Sequence, residues 1–387
     1  MAEKGFTRSS AALLKKIFLI KVADWGFEDV IQSIKILSAA KDYTFALKVG
    51  NHLLKSSPMN FEVHFLIGQI HQNLREWQPA IEHYENALLS RPGNLEGQKS
   101  LALVRKKLTQ AKQIPPIYFI GMQLTASDYI RDLIAFGLGL SVQHLSSGIS
   151  NIDYNVLDLV RTRDFAESRG ALAKDHLPPL PVNIFMLNKL FDKVWVHFRD
   201  PRSYLVSSCI YFSELRKRQA HAAISNLSFW WDYEDYFPRK NQISSCEFHA
   251  LPLSERIDYQ LKTGNFETAW IKMIDQWVKY SQDKRFELQF LFTTYEQFKT
   301  NEMAFVNQIL DFYGVPKDYF EYPFSEEDLN GSAFGKTPKA GSPNFTLRRG
   351  SMTEWKEILS PSQIQQVQNM MPDYMFEMFA WERMYFN

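Results

Sequence analysis

Cysteine is scarce in this chain: only Cys209 and Cys246 occur among 387 residues, too few for a disulfide framework or a cysteine-based metal site. The formal net charge is only +1, which argues against a strong basic field for nucleic acids or acidic membranes. No apolar run is long enough to cross a bilayer, and the stretch 11–20 is broken by two lysines and lacks a cleavage pattern. We expect an amphipathic helix there, and a cytoplasmic protein with no membrane span and no nucleic-acid partner.

The chain is long and rich in aromatic residues. Its 387 residues suffice for two or three domains with substantial cores, and 14% of them are aromatic. This composition is typical of a folded protein that contains a binding pocket. No cluster of metal-ligand residues stands out, so we expect function without a metal.

The first hundred residues contain a repeat. Its small, aromatic and proline positions follow the tetratricopeptide spacing: Gly68, Trp77, Ala80, Tyr84, Ala87, Leu88 and Pro92. A step of 34 residues back finds the same frame at Tyr43, Ala46, Leu53, Leu54 and Pro58. The segment resembles tetratricopeptide units over Phe27–Asn60 and Phe61–Gly93, capped by the basic helix Leu95–Gln110. We expect a small all-α domain at 1–112 that either binds a protein partner or serves only as a structural cap.

A second domain, at 113–387, begins after the proline pair Pro115-Pro116. The apolar run Ile117–Gly121 is typical of a strand buried in a parallel sheet. A loop Gly121–Ser127 follows, and Asp128 begins a helical pattern. A strand, a loop and a helix in this order can cradle a phosphate, because the first helical turn offers free N–H groups.

The stretch Lys174–Ser208 carries the candidate chemistry. Lys174 stands two residues before His176 in Lys-Asp-His-Leu-Pro, which pairs a proton acceptor with a cation. The predicted strand Val194–Phe198 ends in Arg199-Asp200-Pro201-Arg202, and Ser207 lies eight residues past Arg199. Arginine offers a planar fork for phosphate, and a helix start adds a favourable dipole. Singly, each residue also has an ordinary structural explanation.

Two later segments extend the pattern. A predicted strand Glu287–Phe292 is followed by Tyr295, and Arg348-Arg349-Gly350 stands just before Glu354-Trp355-Lys356. Adjacent cations beside a glycine suit a phosphate clamp, because the glycine lets backbone N–H groups approach the anion.

In this order the segments resemble the PAPS-dependent sulfotransferase family over roughly Pro116–Leu359. The resemblance implies that His176 and Lys174 are catalytic, and that the donor's 3′-phosphate binds a set of cations, a hydroxyl and a backbone group: Arg199, Ser207, Arg348, Arg349 and Gly350. It implies that the 5′ side and the adenine of the donor bind the loop and two tyrosines: Gly121, Thr125, Ala126, Ser127, Tyr129 and Tyr295. Hydroxyl hydrogen bonds are expected from Thr125 and Ser127.

The loop departs from the family's P-(K/R)-S-G-T-T-W. Leu124 stands where the family has a cation, and Asp128 stands where it has a threonine. Loss of one electrostatic contact to the transferring group commonly costs roughly 10² to 10³ in rate. Asp128 also puts a negative charge at a helix start suited to an anion.

An acceptor pocket is expected in the aromatic and acidic stretch 229–237. Its candidate substrate-binding residues are Trp230, Trp231, Asp232, Tyr233, Glu234 and Tyr236. Aromatic faces beside carboxylates suit a cationic acceptor, such as an amine-bearing natural product. The alternative is a helix with one packed face and one hydrated face.

The sequence therefore predicts an α/β fold, with a central, mostly parallel sheet flanked by helices and preceded by the tetratricopeptide-like helical domain. The expected activity is sulfuryl transfer from PAPS to a hydroxyl or amine of a small-molecule acceptor. The alternative is a catalytically impaired sulfotransferase-like protein that acts as a binding or scaffold module. A P-loop kinase is disfavoured, since no G-x-x-x-x-G-K-(S/T) occurs.

Overall fold

The computed structural model describes residues 27–40, 42–146, 156–220, 245–264, 266–322 and 351–386. The chain forms two compact units, one made of Met1–Ile114 with Gly139–Ser141 and the other of Pro115–Leu138 with Val142–Asn387. The expected amino-terminal helix at 11–20, the acceptor stretch 229–237 and the basic segment Arg348–Gly350 lie outside the described residues.

The first unit consists of consecutive helices. They are α1 (Phe27–Ala39), α2 (Tyr43–Ser56), α3 (Phe61–Asn73), α4 (Trp77–Ser90) and α5 (Leu95–Ala111). Asparagine caps start two of them: Asn60 accepts a hydrogen bond from the Val63 N–H, and Asn94 accepts one from the Gly97 N–H. The expected all-α domain is confirmed as a region of consecutive helices, whereas its assignment to the tetratricopeptide family stays a prediction.

Gly68 sets how closely α3 and α4 approach each other. A Cβ at this position would lie 2.8 Å from two ring carbons of Tyr84, which is fully buried. The Tyr84 hydroxyl donates to Gln72 at 2.7 Å, so the ring is held in place. A small residue at this crossing is therefore a packing requirement.

Gly68→Ala is expected to destabilise the helical unit. Better helix propensity would add about 1 kcal/mol, but overpacking against the Tyr84 ring costs about 1–3 kcal/mol, so a net loss should result. Chemical denaturation measures this change in the free energy of unfolding. The control is Gly93→Ala, where a Cβ meets no atom within 4 Å and the change should stay near zero. A stabilised Gly68→Ala variant would contradict the packing argument.

Three histidines cluster between α3 and α4. Nδ1 of His64 lies 3.0 Å from Nδ1 of His83, and the rings of His71 and His83 stack at 5.4 Å. Burial, followed by the nearby His64 and His71, lowers the pKa of His83 to about 4. The unfolded chain, with a histidine pKa of about 6.5, therefore binds more protons than the native chain between these two values.

Acidification should therefore destabilise the protein through this cluster. The contribution of His83 is complete above the unfolded pKa and is lost as pH falls from about 6.5 towards 4. We expect His83→Gln to reduce the fall in Tm over this window, as measured by calorimetry at several pH values. His52→Gln, on the exposed face of α2, is the control and should leave the pH dependence unchanged. Identical slopes in all three proteins would exclude the cluster as the cause.

The remaining helices and strands form an α/β arrangement. In chain order they are β1 (Ile117–Gly121), α6 (Ser127–Leu138), β2 (Ser141–Gln143), α7 (Leu159–Ala166), β3 (Ala171–Asp175), α8 (Pro181–Leu190), β4 (Lys193–Phe198), α9 (Pro201–Ala220), α10 (Ser245–Ala250), α11 (Leu253–Thr263), a π-helical turn (Glu267–Ile271), α12 (Lys272–Gln282), β5 (Gln289–Thr294), α13 (Tyr295–Thr300), α14 (Glu302–Tyr313), a 3₁₀ turn (Lys317–Tyr319), α15 (Trp355–Ile358), α16 (Pro361–Met370) and α17 (Asp373–Met378).

The strands form one sheet in the order β2-β3-β1-β4-β5. β1 pairs in parallel with β3 on one side and with β4 on the other, and β4 pairs in parallel with β5. Every residue of β1 and β3 is buried, as expected of strands covered on both faces. The predicted fold class, a central parallel sheet flanked by helices, is confirmed.

Some element bounds differ from the prediction. β5 begins at Gln289 rather than at Glu287, because the N–H groups of Glu287 and Leu288 donate to the Asn188 side chain instead of to a strand. Helix α7 begins at Leu159, and two residues before it Leu157 forms an isolated β-bridge with Ser146. β3 was not predicted at all, although it carries Lys174.

Candidate active site

The carboxyl ends of β1, β3 and β4 meet at one edge of the sheet. β1 ends at Gly121, β3 ends just before His176, and β4 leads into Arg199. The chain continues from β1 to strands on either side of it, and such a switch point leaves a crevice at the strand ends where ligands bind. The sheet therefore brings together three of the segments singled out in the sequence.

Lys174 and His176 lie on the same side of β3 because alternate strand residues point the same way. Nζ of Lys174 lies 3.0 Å from Nε2 of His176. Asp175 points to the opposite side, where it accepts hydrogen bonds from the Leu145 N–H at 3.0 Å and the Ser146 hydroxyl at 2.7 Å. These bonds fix the end of β3 and with it the two candidate catalytic side chains.

The tautomer of His176 follows from its partners. Its Nδ1 contacts the carbonyl oxygen of Gly121, which can only accept, so Nδ1 carries the proton. The lone pair of Nε2 then accepts from the ammonium group of Lys174. Burial, followed by the charge of Lys174, lowers the pKa of His176 to about 3. The imidazole is therefore neutral near pH 7, the form that can accept a proton.

Lys174 is 2% exposed, and its ammonium group has a second partner in the carboxylate of Asp128, at 3.2 Å. Burial lowers the pKa of Lys174, while Asp128 counteracts part of that effect. Burial alone would raise the pKa of Asp128, but Lys174 and then Arg131, which lies 3.0 Å away, outweigh it and lower that pKa. The Lys174–Asp128 pair was not predicted, because 46 residues separate the partners.

The loop between β1 and α6 has the backbone of an anion cradle. Leu124 and Ala126 have φ angles of 57° and 61°, in the left-handed region. When left-handed residues alternate with right-handed ones, successive N–H groups point into one concavity that can bind an anion. Within the described part of the chain, the N–H groups of 124–127 have no protein acceptor. Gly121 makes room for this geometry, since a Cβ there would lie 2.4 Å from that of Ser127.

Carbonyl contacts explain the direction of two of these N–H groups, those of Thr125 and Ala126. The carbonyl of Leu124 accepts from Arg199 at 2.9 Å, and the carbonyl of Thr125 accepts from Nε2 of His197 at 3.0 Å. In a trans peptide the N–H points opposite to the C=O, so the following N–H groups face away from β4. His197 is fully buried, and its other nitrogen accepts from the Thr293 hydroxyl at 2.8 Å. This positioning histidine was missed because it looked like part of an apolar strand.

The side chains of the loop behave differently from the expectation. Thr125 is fully buried and donates its hydroxyl proton to the carbonyl of Met122 at 2.6 Å, so that hydroxyl is used inside the loop. The hydroxyl proton that was predicted to bond a ligand is therefore already used, whereas the backbone N–H of Thr125 has no acceptor among the described residues. Ser127 is also buried, and Ala126 occupies a left-handed position that glycine adopts more easily.

Arg199 is 8% exposed and lies between the loop and the later segments. One terminal nitrogen donates to Leu124, and the other donates to the carbonyl of Ser351 at 3.3 Å. Its guanidinium carbon lies 4.5 Å from the ring centroid of Tyr295. Its Nε is buried and has no hydrogen-bond partner among the described residues. Ser207 is half-buried on α9.

The other cation of the Arg-Asp-Pro-Arg turn is structural. Arg202 is fully buried, donates to Asp200 at 2.6 Å and lies 4.0 Å over the ring of Trp355. Asp200 in turn donates its N–H to the carboxylate of Glu296, at 3.2 Å. Burial and the nearby Asp200 raise the pKa of Glu296 to about 7. The turn that presents Arg199 is thus fixed from both sides.

The remaining predicted residues are only partly placed. Tyr129 is half-buried on α6, with its ring 5.7 Å from that of Phe298. Tyr295 is buried beneath the Arg199 guanidinium, which makes it a support for that cation. Outside the described residues lie the acceptor candidates and the basic clamp: Trp230, Trp231, Asp232, Tyr233, Glu234, Tyr236, Arg348, Arg349 and Gly350.

Among the described residues, no helix is both long and apolar enough to span a membrane. Nor do those residues contain a group of three histidine, cysteine or carboxylate side chains that could hold a metal ion.

Replacing Ala126 by glycine should stabilise the loop. Left-handed backbone costs a non-glycine residue about 1–2 kcal/mol, which exceeds the extra unfolded-state entropy of glycine, about 0.4–1 kcal/mol. We expect Ala126→Gly to raise the free energy of unfolding slightly in chemical denaturation. Ala135→Gly, within α6, is the matched control and should lower it by about 1 kcal/mol. Equal losses in both variants would show that the loop is not strained.

The family model described as Sulfotransferase domain matches residues 154–379, more than half of the chain. The match includes Lys174, His176 and Arg199, whereas the loop after β1 precedes it. A crystal structure of mouse sulfotransferase SULT7A1 complexed with PAP is similar at 13% identity and a TM-score of 0.40, covering 69% of this chain and 87% of that chain. No curated protein matches this chain.

Proposed function

This chain belongs to the sulfotransferase domain family, and we propose from that premise that it transfers a sulfuryl group from PAPS to a hydroxyl or amine of a small-molecule acceptor. The observation that carries the proposal is the Lys174–His176 contact of 3.0 Å, at a strand end beside a loop of free N–H groups. A base, a cation and an anion cradle thus lie together.

The residues present fit the two anionic ends of such a donor. The N–H groups of 124–127 suit the 5′ phosphosulfate, because they lack protein acceptors in the described chain and those of Thr125 and Ala126 face away from β4. Arg199, with its unpaired Nε, and Ser207 suit the 3′-phosphate. Arg348, Arg349 and Gly350 would complete that clamp. The contact of Ser351 with Arg199 supports their assignment, since Ser351 follows Gly350 in the sequence.

The proton-transfer role falls to His176. The proton on Nδ1 is hydrogen-bonded to the carbonyl oxygen of Gly121, so Nε2 is the atom that can take a proton from the acceptor. The acceptor loses this proton as its oxygen or nitrogen bonds to sulfur. The donor supplies the electrophilic sulfur, and its bond to the phosphate oxygen breaks, which releases PAP. Lys174 now occupies Nε2, so it must turn towards the transferring group before Nε2 can accept a proton.

For the acceptor, we propose a cationic small molecule. Support comes only from the sequence of stretch 229–237, in which six aromatic residues alternate with three acidic ones. A natural product that carries an amine fits this chemistry.

A second candidate is a sulfotransferase-like binding module without turnover, which would use the helical unit to bind a protein partner. Leu124 favours it, because an apolar, half-buried side chain stands where the family has a cation. The Lys174–His176 geometry favours the enzyme. Binding of PAP without turnover of PAPS would be the outcome expected of the module.

His176→Ala should reduce turnover of PAPS by at least about 10²-fold, because the acceptor loses its base. Binding of PAP, measured by calorimetry, should change little. Turnover is measured as PAP release with a panel of phenols and amines that includes 2-naphthol and tyramine. His52→Ala, on the exposed face of α2, is the control and should keep the wild-type rate.

Each other outcome has a distinct meaning. Undiminished turnover in His176→Ala would remove the imidazole from the chemistry. Failure of the wild-type protein to bind PAP would overturn the proposed function as a whole.

A further inference from the structure

Asp128 is the acidic residue that connects solvent to the buried cation of the site. Its side chain is 65% exposed, whereas that of Lys174 is 2% exposed, and the two are joined at 3.2 Å. The ammonium group has three N–H bonds, of which one points to Asp128 and one to Nε2 of His176. A ligand that approaches Lys174 therefore meets the carboxylate of Asp128.

The other charged and titratable groups around Lys174 do not replace Asp128. On α6, Arg131 donates at 3.0 Å to Oδ1 of Asp128, the same oxygen that Lys174 contacts, and it also binds Asp132. On β3, Asp175 points away and is held by backbone and hydroxyl groups. Two further titratable groups lie nearby. Nδ1 of His144 is 2.8 Å from the Lys174 carbonyl, and the pKa of Tyr211 on α9 is raised by burial and then by the charge of Asp128.

We propose that Asp128 is a positioning residue that determines donor affinity. Its carboxylate holds the ammonium group of Lys174 against His176, and the anionic 5′ group of the donor must displace this carboxylate from Lys174. This inference rests on the proposed function. Asp128 lies in the first turn of α6, next to the N–H groups of 124–127, so its negative charge also repels an anion bound in the cradle.

These contacts predict that removal of the Asp128 carboxylate strengthens the binding of an anion at the 5′ position. Removal of the carboxylate leaves the cradle with one negative charge fewer and leaves an N–H of Lys174 for the incoming anion. An anion at the 5′ position should then bind more tightly, while an anion at the 3′ position, next to Arg199, should be unaffected. The first ligand is adenosine 3′,5′-bisphosphate, and the second is adenosine 3′-phosphate, which lacks the 5′ group.

Calorimetric titration of the full chain with both nucleotides tests the proposal. Asp128→Asn should bind adenosine 3′,5′-bisphosphate about tenfold more tightly than the wild type, with unchanged affinity for adenosine 3′-phosphate. Asp132→Asn is the matched control, because it removes an acid on the same helix that pairs with Arg131 and for which the described residues show no contact with Lys174. This variant should bind both nucleotides as the wild type does. Thermal unfolding of each variant verifies that it is folded.

A pH series separates a role through Lys174 from simple repulsion. Burial lowers the pKa of Lys174 and Asp128 counteracts it, so the ammonium group of Asp128→Asn loses its proton at a lower pH than that of the wild type. The gain in affinity should therefore shrink as pH rises from neutrality towards the ordinary lysine pKa of about 10.4. A gain independent of pH would overturn the action through Lys174.

The remaining outcomes are decisive as well. Equal or weaker binding of adenosine 3′,5′-bisphosphate by Asp128→Asn overturns the inference and leaves the proposed function standing if the wild type binds. Binding by Asp128→Asn alone, with a wild-type protein that does not bind, overturns the proposed function, and the inference that rests on it falls as well. Failure of both proteins to bind overturns the inference together with the proposed function.

Discussion

The ammonium group of Lys174 is the constraint around which this site is arranged. A cation that is 2% exposed would cost several kcal/mol without partners, and its two partners are the carboxylate of Asp128 and the lone pair of His176. Because Nε2 accepts from the ammonium, Nδ1 must carry the proton that it shares with Gly121. One buried charge thus ties the ends of β1 and β3 to the start of α6, and it fixes the tautomer of the imidazole.

The loop after β1 is organised from the other side, by β4 and the residue after it. Arg199 and His197 each bind a loop carbonyl, at 2.9 and 3.0 Å, and the rigid trans peptide then turns the next N–H outward. These bonds hold Leu124 and Ala126 in left-handed backbone that neither side chain prefers. Strain of this kind persists only where surrounding contacts determine the conformation, and here those contacts come from buried side chains.

The sequence predicts the parts of this arrangement that depend on apolar runs. β1 and β4 are long, apolar and β-branched or aromatic, and β1 is found with its predicted bounds. β3 was not predicted, because Ala171-Leu172-Ala173-Lys174-Asp175 contains alanines and charges that disfavour strands, and its partner β1 supplies the missing context. Asp128 looked only unfavourable beside an anion in the sequence, since its partner lies 46 residues away and pairs with it only after the sheet forms.

The loop after β1 departs from the family pattern in its side chains but not in its backbone donors. A cradle made of backbone N–H groups needs no particular side chain, so Thr125, Ala126 and Ser127 can differ from the family without removing its donors. What the backbone cannot supply is a full positive charge, and Leu124 supplies none. Arg199 bonds the loop itself, and Lys174 is the cation at the end of β3 whose ammonium group pairs with Asp128 at the start of α6. Asp128 counteracts the effect of burial on the pKa of Lys174. The affinity of the site for an anionic donor should therefore depend on the strand ends more than on the loop sequence that usually identifies such sites.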